Sequence, residues 1–400
     1  MEPLTHFLTG ACIGRAGFNR KTAYATLAAV LAAEAADLDV FWGFGGPVEE
    51  LKHHRGITHT FVGAPMVAVV VVGAVWLLHR WRVRRSSGPA QQRASELDTD
   101  RDLPAFRQEA AERLGPGRLQ PVRWGWLYLT TLVAALSHIL LDWTNNYGVR
   151  PFYPFNPRWY AGSIVFIVEP VMWALLLAAL IMPWLLGLAD REIGVRRQPF
   201  RGRGWAIFAL AGMAALIVWR WTERSKAMDM IQQTQVATAP VTRVALEPYP
   251  VNPYHWHAIL ETPHYYQTAE VHTNAPTPAG GIVTDPTTDI LYKPKVTPAV
   301  EAAERTFLGR VYLDWGRWAM VQDVGKVAVP GVPPPVLPPS RTWSTVLFND
   351  LRFDYSFLHR TRDQARKPLS GWVYVVDGHE EAAEGMGSRE QKPPDGGDSQ

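Results

Sequence analysis

The sequence predicts an α-helical bundle that crosses a membrane several times and carries a soluble β-rich domain at its C-terminal end. Three observations carry this reading. Long apolar runs crowd into the first 221 of the 400 residues. Arginines concentrate in alternate loops between those runs. After Trp221 the composition turns polar, Pro-rich and aromatic, with short strand-like stretches.

A spanning helix needs about 20 mostly apolar residues. Runs at 59–79, 124–142, 160–188 and 205–221 meet or approach this. Segment 22–40 is Ala-rich and helical in character, and is read as a fifth span although it holds Glu34, Asp37 and Asp39. Segment 4–17 is too short to cross at about 1.5 Å per residue, and reads as a short buried or re-entrant helix. The expectation is about five spans plus that short N-terminal helix.

Loop charge orients the spans. Loop 80–123 carries ten arginines and loop 189–204 five, whereas loop 143–159 has only Arg150 and Arg158. The turn at 15–21 adds Arg15, Arg20 and Lys21. These three segments are therefore expected in the cytoplasm, with loops 41–58 and 143–159 and everything after 221 on the other side. Loop 80–123 also holds acidic residues and reads as a solvated loop with a short helix near 104–114, its basic start suited to lipid headgroups. The net charge of +3 gives no reason to expect nucleic acid as a partner, so membrane lipids are the expected one. Cys12 is the single cysteine, which excludes an intrachain disulfide and a cysteine-based zinc site. The N-terminus lacks the pattern of a removable leader.

That topology has a chemical consequence. Ionisable residues inside spans are costly and mark function. Asp37 and Asp39 end the 22–40 segment on the outer side, His54 and His59 open the next span there, and His138 and Asp142 close the 124–142 span there. His6 joins them if segments 4–17 and 22–40 pair antiparallel. His138 and Asp142, spaced i, i+4, share a helix face. His54 and His59 fit best with His54 in the loop and His59 in the first helical turn, Thr58 acting as N-cap and Gly56 permitting close approach. His6, Asp37, Asp39, His54, His59, His138 and Asp142 are thus the candidate metal ligands. Imidazole and carboxylate donors suit a divalent ion, Zn or Mn foremost, and seven candidates leave room for two. Arg55 is a candidate for steadying anionic charge, and Asp39 and Glu169 for the general base. Glu169 precedes Pro170 within the 160–188 run, where it could also be a further ligand, and packing against an arginine or a histidine is its plain alternative.

These motifs resemble a known family. Thr5-His6, Asp37-Leu38-Asp39, His54-Arg55-Gly56-Ile57-Thr58-His59 and Ser137-His138-Ile139-Leu140-Leu141-Asp142, followed by Tyr147-Gly148-Val149-Arg150-Pro151, look like the bacterial inner-membrane metal-dependent hydrolases, one branch of which is described as LexA-binding. The resemblance covers roughly residues 1–190. Val40 stands where many relatives carry a histidine. The resemblance implies a hydrolase of the bacterial inner membrane.

The expected domains are 1–221, transmembrane and hydrolase-like; 222–376, extracytoplasmic and β-rich; and 377–400, a disordered tail. Strands are expected at 242–246, 255–262, 265–273, 311–315, 342–348 and 372–376, with a hairpin turn at Pro263-His264. His255 and His257 alternate on one strand face and read as ordinary strand histidines. The leading expectation is a hydrolase that cleaves an ester or phosphoester at the interface through a metal-activated water. The competing classes are a non-catalytic membrane protein with a structural or regulatory metal, and an ion transporter, which would need ionisable groups along a path.

Overall fold

The computed structural model describes residues 1–96, 121–192, 202–355, 357, 367–387 and 389–390. The short helix expected near 104–114 lies outside them. Chain contacts divide the protein into two units. The first comprises Met1–Ala36, Ile57–Asp142 and Pro170–Ala215; the second comprises Asp37–Gly56, Trp143–Glu169 and Leu216–Gln400. The boundary expected at 221 therefore falls inside a continuous helix, and two loops of the N-terminal half belong to the second unit.

The first unit is helical. Helices α1 (Pro3–Ala16) and α2 (Ala25–Glu34) form a tight antiparallel pair. Small residues allow it. A Cβ on Gly10 would lie 2.8 Å from the Ala29 carbonyl oxygen, and one on Gly14 would lie 2.5 Å from the Thr26 Cα. Ala25, Ala28, Ala29, Ala32 and Ala33 bury the facing side of α2. This is small-residue packing, in which van der Waals contact between backbones replaces a hydrophobic drive. At ten residues, α2 reaches only about half the thickness of a hydrocarbon core, so the span expected over 22–40 is corrected to a short helix. The chain continues as a 3₁₀ segment over Ala35–Gly45.

Among the described residues, four helices are long and apolar enough to cross a membrane: Gly63–Arg85, Trp124–Thr144, Pro170–Leu188 and Gly202–Gln233. They belong to α4 (Gly63–Glu96), α5 (Trp124–Thr144), α6 (Pro170–Glu192) and α7 (Gly202–Gln233), with α3 (Pro47–His53) preceding them. Pro170 does not interrupt a span. It is the first residue of α6, where its fixed φ and missing N–H cost nothing, so the expected 160–188 run is helical only from residue 170.

The second unit holds two antiparallel five-stranded sheets. One has the order β1 (Arg243–Pro248), β2 (His255–Glu261), β3 (Tyr265–His272), β4 (Ile282–Val283), with β5 (Ile290–Tyr292) also on β3. The β2–β3 turn at Pro263-His264 is as expected, closed by the Thr262 amide donating to the Tyr265 carbonyl at 2.9 Å. The other sheet has the order β10 (Arg389–Glu390), β9 (Glu380–Met386), β8 (Gly371–Val376), β7 (Trp343–Asp350), β6 (Ala319–Asp323). Glu380–Met386 and Arg389–Glu390 are thus strands rather than part of the expected tail. Two helices, α8 (Pro298–Arg305) and α9 (Phe307–Trp315), pack on this sheet.

The strand expected at 311–315 is the end of α9. Leu308, Tyr312 and Trp315 recur at helical spacing and are all buried, and the Thr306 hydroxyl caps the helix by accepting from the Gly309 amide at 3.1 Å.

Candidate metal centre

Within the first unit, His6 on α1, His59 in the 3₁₀ turn Ile57–His59, and His138 and Asp142 on α5 are completely buried. The α1–α2 pair presents His6 from one side. The i, i+4 spacing on α5 aims His138 and Asp142 the same way. Among the described residues one group of His, Cys, Asp or Glu side chains converges closely enough for an ion. His59, His138 and Asp142 are its members in the first unit, their ligand atoms all within 4.8 Å of one another.

The geometry fixes the tautomer of His138 and permits the matching one for His59. His138 Nδ1 lies 2.6 Å from the Ala33 carbonyl oxygen, which only accepts, so the proton sits on Nδ1 and Nε2 presents a lone pair. His59 Nδ1 lies 3.1 Å from the Thr58 hydroxyl and can hold its proton there. The two Nε2 atoms stand 2.9 Å apart, and each is 3.4 Å from Asp142 Oδ2. Two imidazole lone pairs cannot share that separation without a cation or proton between them. Tetrahedral ligands about 2.0–2.1 Å from zinc stand roughly 3.3 Å from each other, close to the observed triangle.

His6 stacks on His138 with centroids 3.7 Å apart, and its Nε2 lies 3.3 Å from Asp142 Oδ1. Both His6 nitrogens are buried without a hydrogen bond. Orphaned imidazole nitrogens beside a carboxylate are costly in the absence of a cation, so the donor set fits a divalent metal. The Met1 amino group pairs with the same carboxylate oxygen. Glu2 accepts from the Thr5 amide at 2.9 Å and from Trp173 Nε1 at 2.5 Å, tying the start of α1 to α6.

The remaining expected residues lie in the second unit. The Asp39 carboxylate receives His54 Nδ1 at 3.1 Å and the Arg55 amide at 2.7 Å. Arg55 has φ +55°, and a Cβ on Gly56 would lie 2.7 Å from the His53 carbonyl oxygen, so the sharp turn needs the glycine. The Arg55 guanidinium donates to the Gly148 carbonyl at 2.6 Å and to Asn145 Oδ1 at 3.3 Å, and lies over the Tyr147 ring. It is buried and committed to the fold, which corrects its expected place beside an anionic substrate.

Glu169 is corrected likewise. Its carboxylate pairs with Arg220 at 2.9 Å, both side chains fully buried, and accepts from the Val251 amide at 3.2 Å. It is an ion-pair partner of α7, not a base or ligand. Thr58 is not the N-cap of the following helix. That helix starts at Gly63, whose amide donates to the Thr60 hydroxyl at 2.8 Å, so His59 sits ahead of the helix and not in its first turn.

The chain is thus an integral membrane protein with a buried histidine–aspartate cluster suited to a divalent ion. A family model described as YdjM inner membrane protein matches residues 1–227, and the chain belongs to that family. The uncharacterized protein YfhP of Bacillus subtilis is 22% identical over 195 residues, 47% of this chain and 47% of its own. The chain therefore spans about half the length of the curated relative it matches. No solved structure matches it.

Proposed function

We propose that this protein is a metal-dependent hydrolase of the bacterial inner membrane, acting on an ester or phosphoester at the lipid–water interface. The observation that carries the reading is the convergence of His59 Nε2, His138 Nε2 and Asp142 Oδ2 on one buried point. His6, beside Asp142, would hold the same ion or a second one. Asp37, expected from the sequence as a further carboxylate ligand, belongs to the second unit. A bound divalent ion supplies Lewis acidity and a water of lowered pKa. Thr58 and the Ala33 carbonyl hold the imidazoles in the ligating tautomer. Asp39 accepts from His54 and from the Arg55 amide, both in its own unit, and is not assigned the role of base. The face carrying loops 41–58 and 143–159 and the β-rich domain is outside the cytoplasm.

Against transport stands the distribution of buried charge. Among the described residues, the buried ionisable side chains of the first unit apart from the Cys12 thiol are His6, His59, His138 and Asp142, a single cluster and not a path. Metal analysis of the purified protein, beside Asp142→Ala and His59→Ala, tests the centre. Stoichiometric metal in the native protein and its loss in both variants is expected. A screen of phospholipid and phosphoester turnover then tests catalysis. Bound metal with no turnover across the screen would favour a structural or regulatory ion.

A further inference from the structure

We propose that a cavity of about 330 Å³ in the second unit binds a zwitterionic phosphoethanolamine lipid headgroup, ammonium against Glu50 and phosphate against Arg389. One wall is helix α3 with Glu50 and Leu51, another holds His54 and Tyr147, and the third is the terminal strand pair with Met386 and Arg389. The volume is that of a small-ligand pocket. Its lining pairs an apolar surface with one cation and one carboxylate, and among the described residues neither Glu50 nor Arg389 has an ion-pair partner. A ligand carrying both signs neutralises both walls. A purely anionic ligand would meet Glu50 unfavourably. An arginine suits the phosphate, to which it can donate two parallel hydrogen bonds.

The lipid source follows from the chain just ahead of α3. Phe41, Trp42 and Phe44 of the 3₁₀ segment are 59%, 53% and 84% exposed. Such aromatic side chains lie at the apolar–polar boundary of a bilayer. The segment that leads into the cavity wall is therefore an interfacial anchor, and the cavity opens where headgroups are. Arg389 and Met386 lie beyond the family-matched residues 1–227, so the C-terminal domain supplies part of a pocket that contains the family-motif residue His54. The inference deepens the hydrolase reading and rests on it for the reacting ester, though not for binding.

Native mass spectrometry of the full-length protein in detergent, offered phosphatidylethanolamine, phosphatidylglycerol or soluble glycerophosphoethanolamine, tests it. The expected result is retention of phosphatidylethanolamine over phosphatidylglycerol, with affinity reduced on the order of tenfold in each of Glu50→Gln and Arg389→Gln. Asp142→Ala, stripped of metal, is expected to keep the preference, so a hydrolase that proves inactive leaves this inference standing. Equal binding of the two lipids, a preference unchanged in both Glu50→Gln and Arg389→Gln, or binding of glycerophosphoethanolamine without the lipid would overturn it.

Discussion

Each of the two units gathers histidines around an acid, and the two gatherings do different chemistry. In the first unit the Nε2 atoms of His59 and His138 converge with Asp142, their outer nitrogens against the Thr58 hydroxyl and the Ala33 carbonyl. In the second, on strands β2 and β3, the acid Glu270 sits among its donors. His255 Nε2 lies 2.9 Å from it and the Tyr249 hydroxyl 2.7 Å, while His255 stacks face to face on Tyr249 and His272. Burial works to raise the Glu270 pKa, but the hydrogen bonds from His255, His257 and Tyr249 overcome it and bring the carboxyl down to about 2. There the acid is consumed by the fold. Both places combine histidines with one carboxylate; in the first the ring nitrogens and the carboxylate converge on one point, and in the second the carboxylate is taken up by its donors.

The sharpest break of that comparison is a matched pair of variants. His138→Ala is expected to lower metal affinity by more than about 100-fold, since removing even a supporting partner of a ligand costs roughly 10–100-fold. His255→Ala is expected to leave metal content unchanged, which inductively coupled plasma analysis of both proteins would show. Next in size is Arg220→Ala. It strands the buried Glu169 carboxylate and should destabilise by about 3–5 kcal/mol, read as a fall in thermal midpoint with metal content per folded protein retained. Thr58→Val removes the hydroxyl partner of His59 while keeping the shape, and is expected to weaken metal binding by roughly tenfold in a chelator competition.

The remaining prediction concerns pH. Burial is the main cause that raises Glu247 to about 7, the Arg352 charge and a Ser163 hydrogen bond opposing it. The folded state then holds a proton that the unfolded state releases near pH 4.5, so stability is greatest below that value and declines as pH rises to 7. Glu247→Gln is expected to flatten the thermal midpoint between pH 5 and about 7.5. A decline as steep as in the parent protein would assign the effect to another group.

Much of the centre was legible because local spacing decides it. The i, i+4 relation of His138 and Asp142 sets one helix face whatever surrounds it. The pairing of the first two segments, which brings His6 to the same end, was expected only as a condition, and the structure makes it through the close approach at Gly10 and Gly14. Glu169 was legible only as costly. Its partner Arg220 is 51 residues away, and no local pattern shows which buried cation a carboxylate meets. The strand expected at 311–315 failed for a different reason. Val311, Tyr312 and Trp315 favour strands by type, but the spacing of Leu308, Tyr312 and Trp315 and the Thr306 cap favour a helix, and burial against the sheet decided it.

The sequence by itself determined a multi-span membrane protein, a polar β-rich C-terminal region and a histidine–aspartate set at span ends, because hydropathy, charge bias and helical period act over short stretches of chain. Only the tertiary structure decided how that set divides. His6, His59, His138 and Asp142 face one buried point, while Asp39, His54 and Arg55 bind one another and the 145–148 turn. That division depends on which hydrogen-bond partners distant segments bring to each side chain, and a buried polar group takes whichever partner the packing delivers.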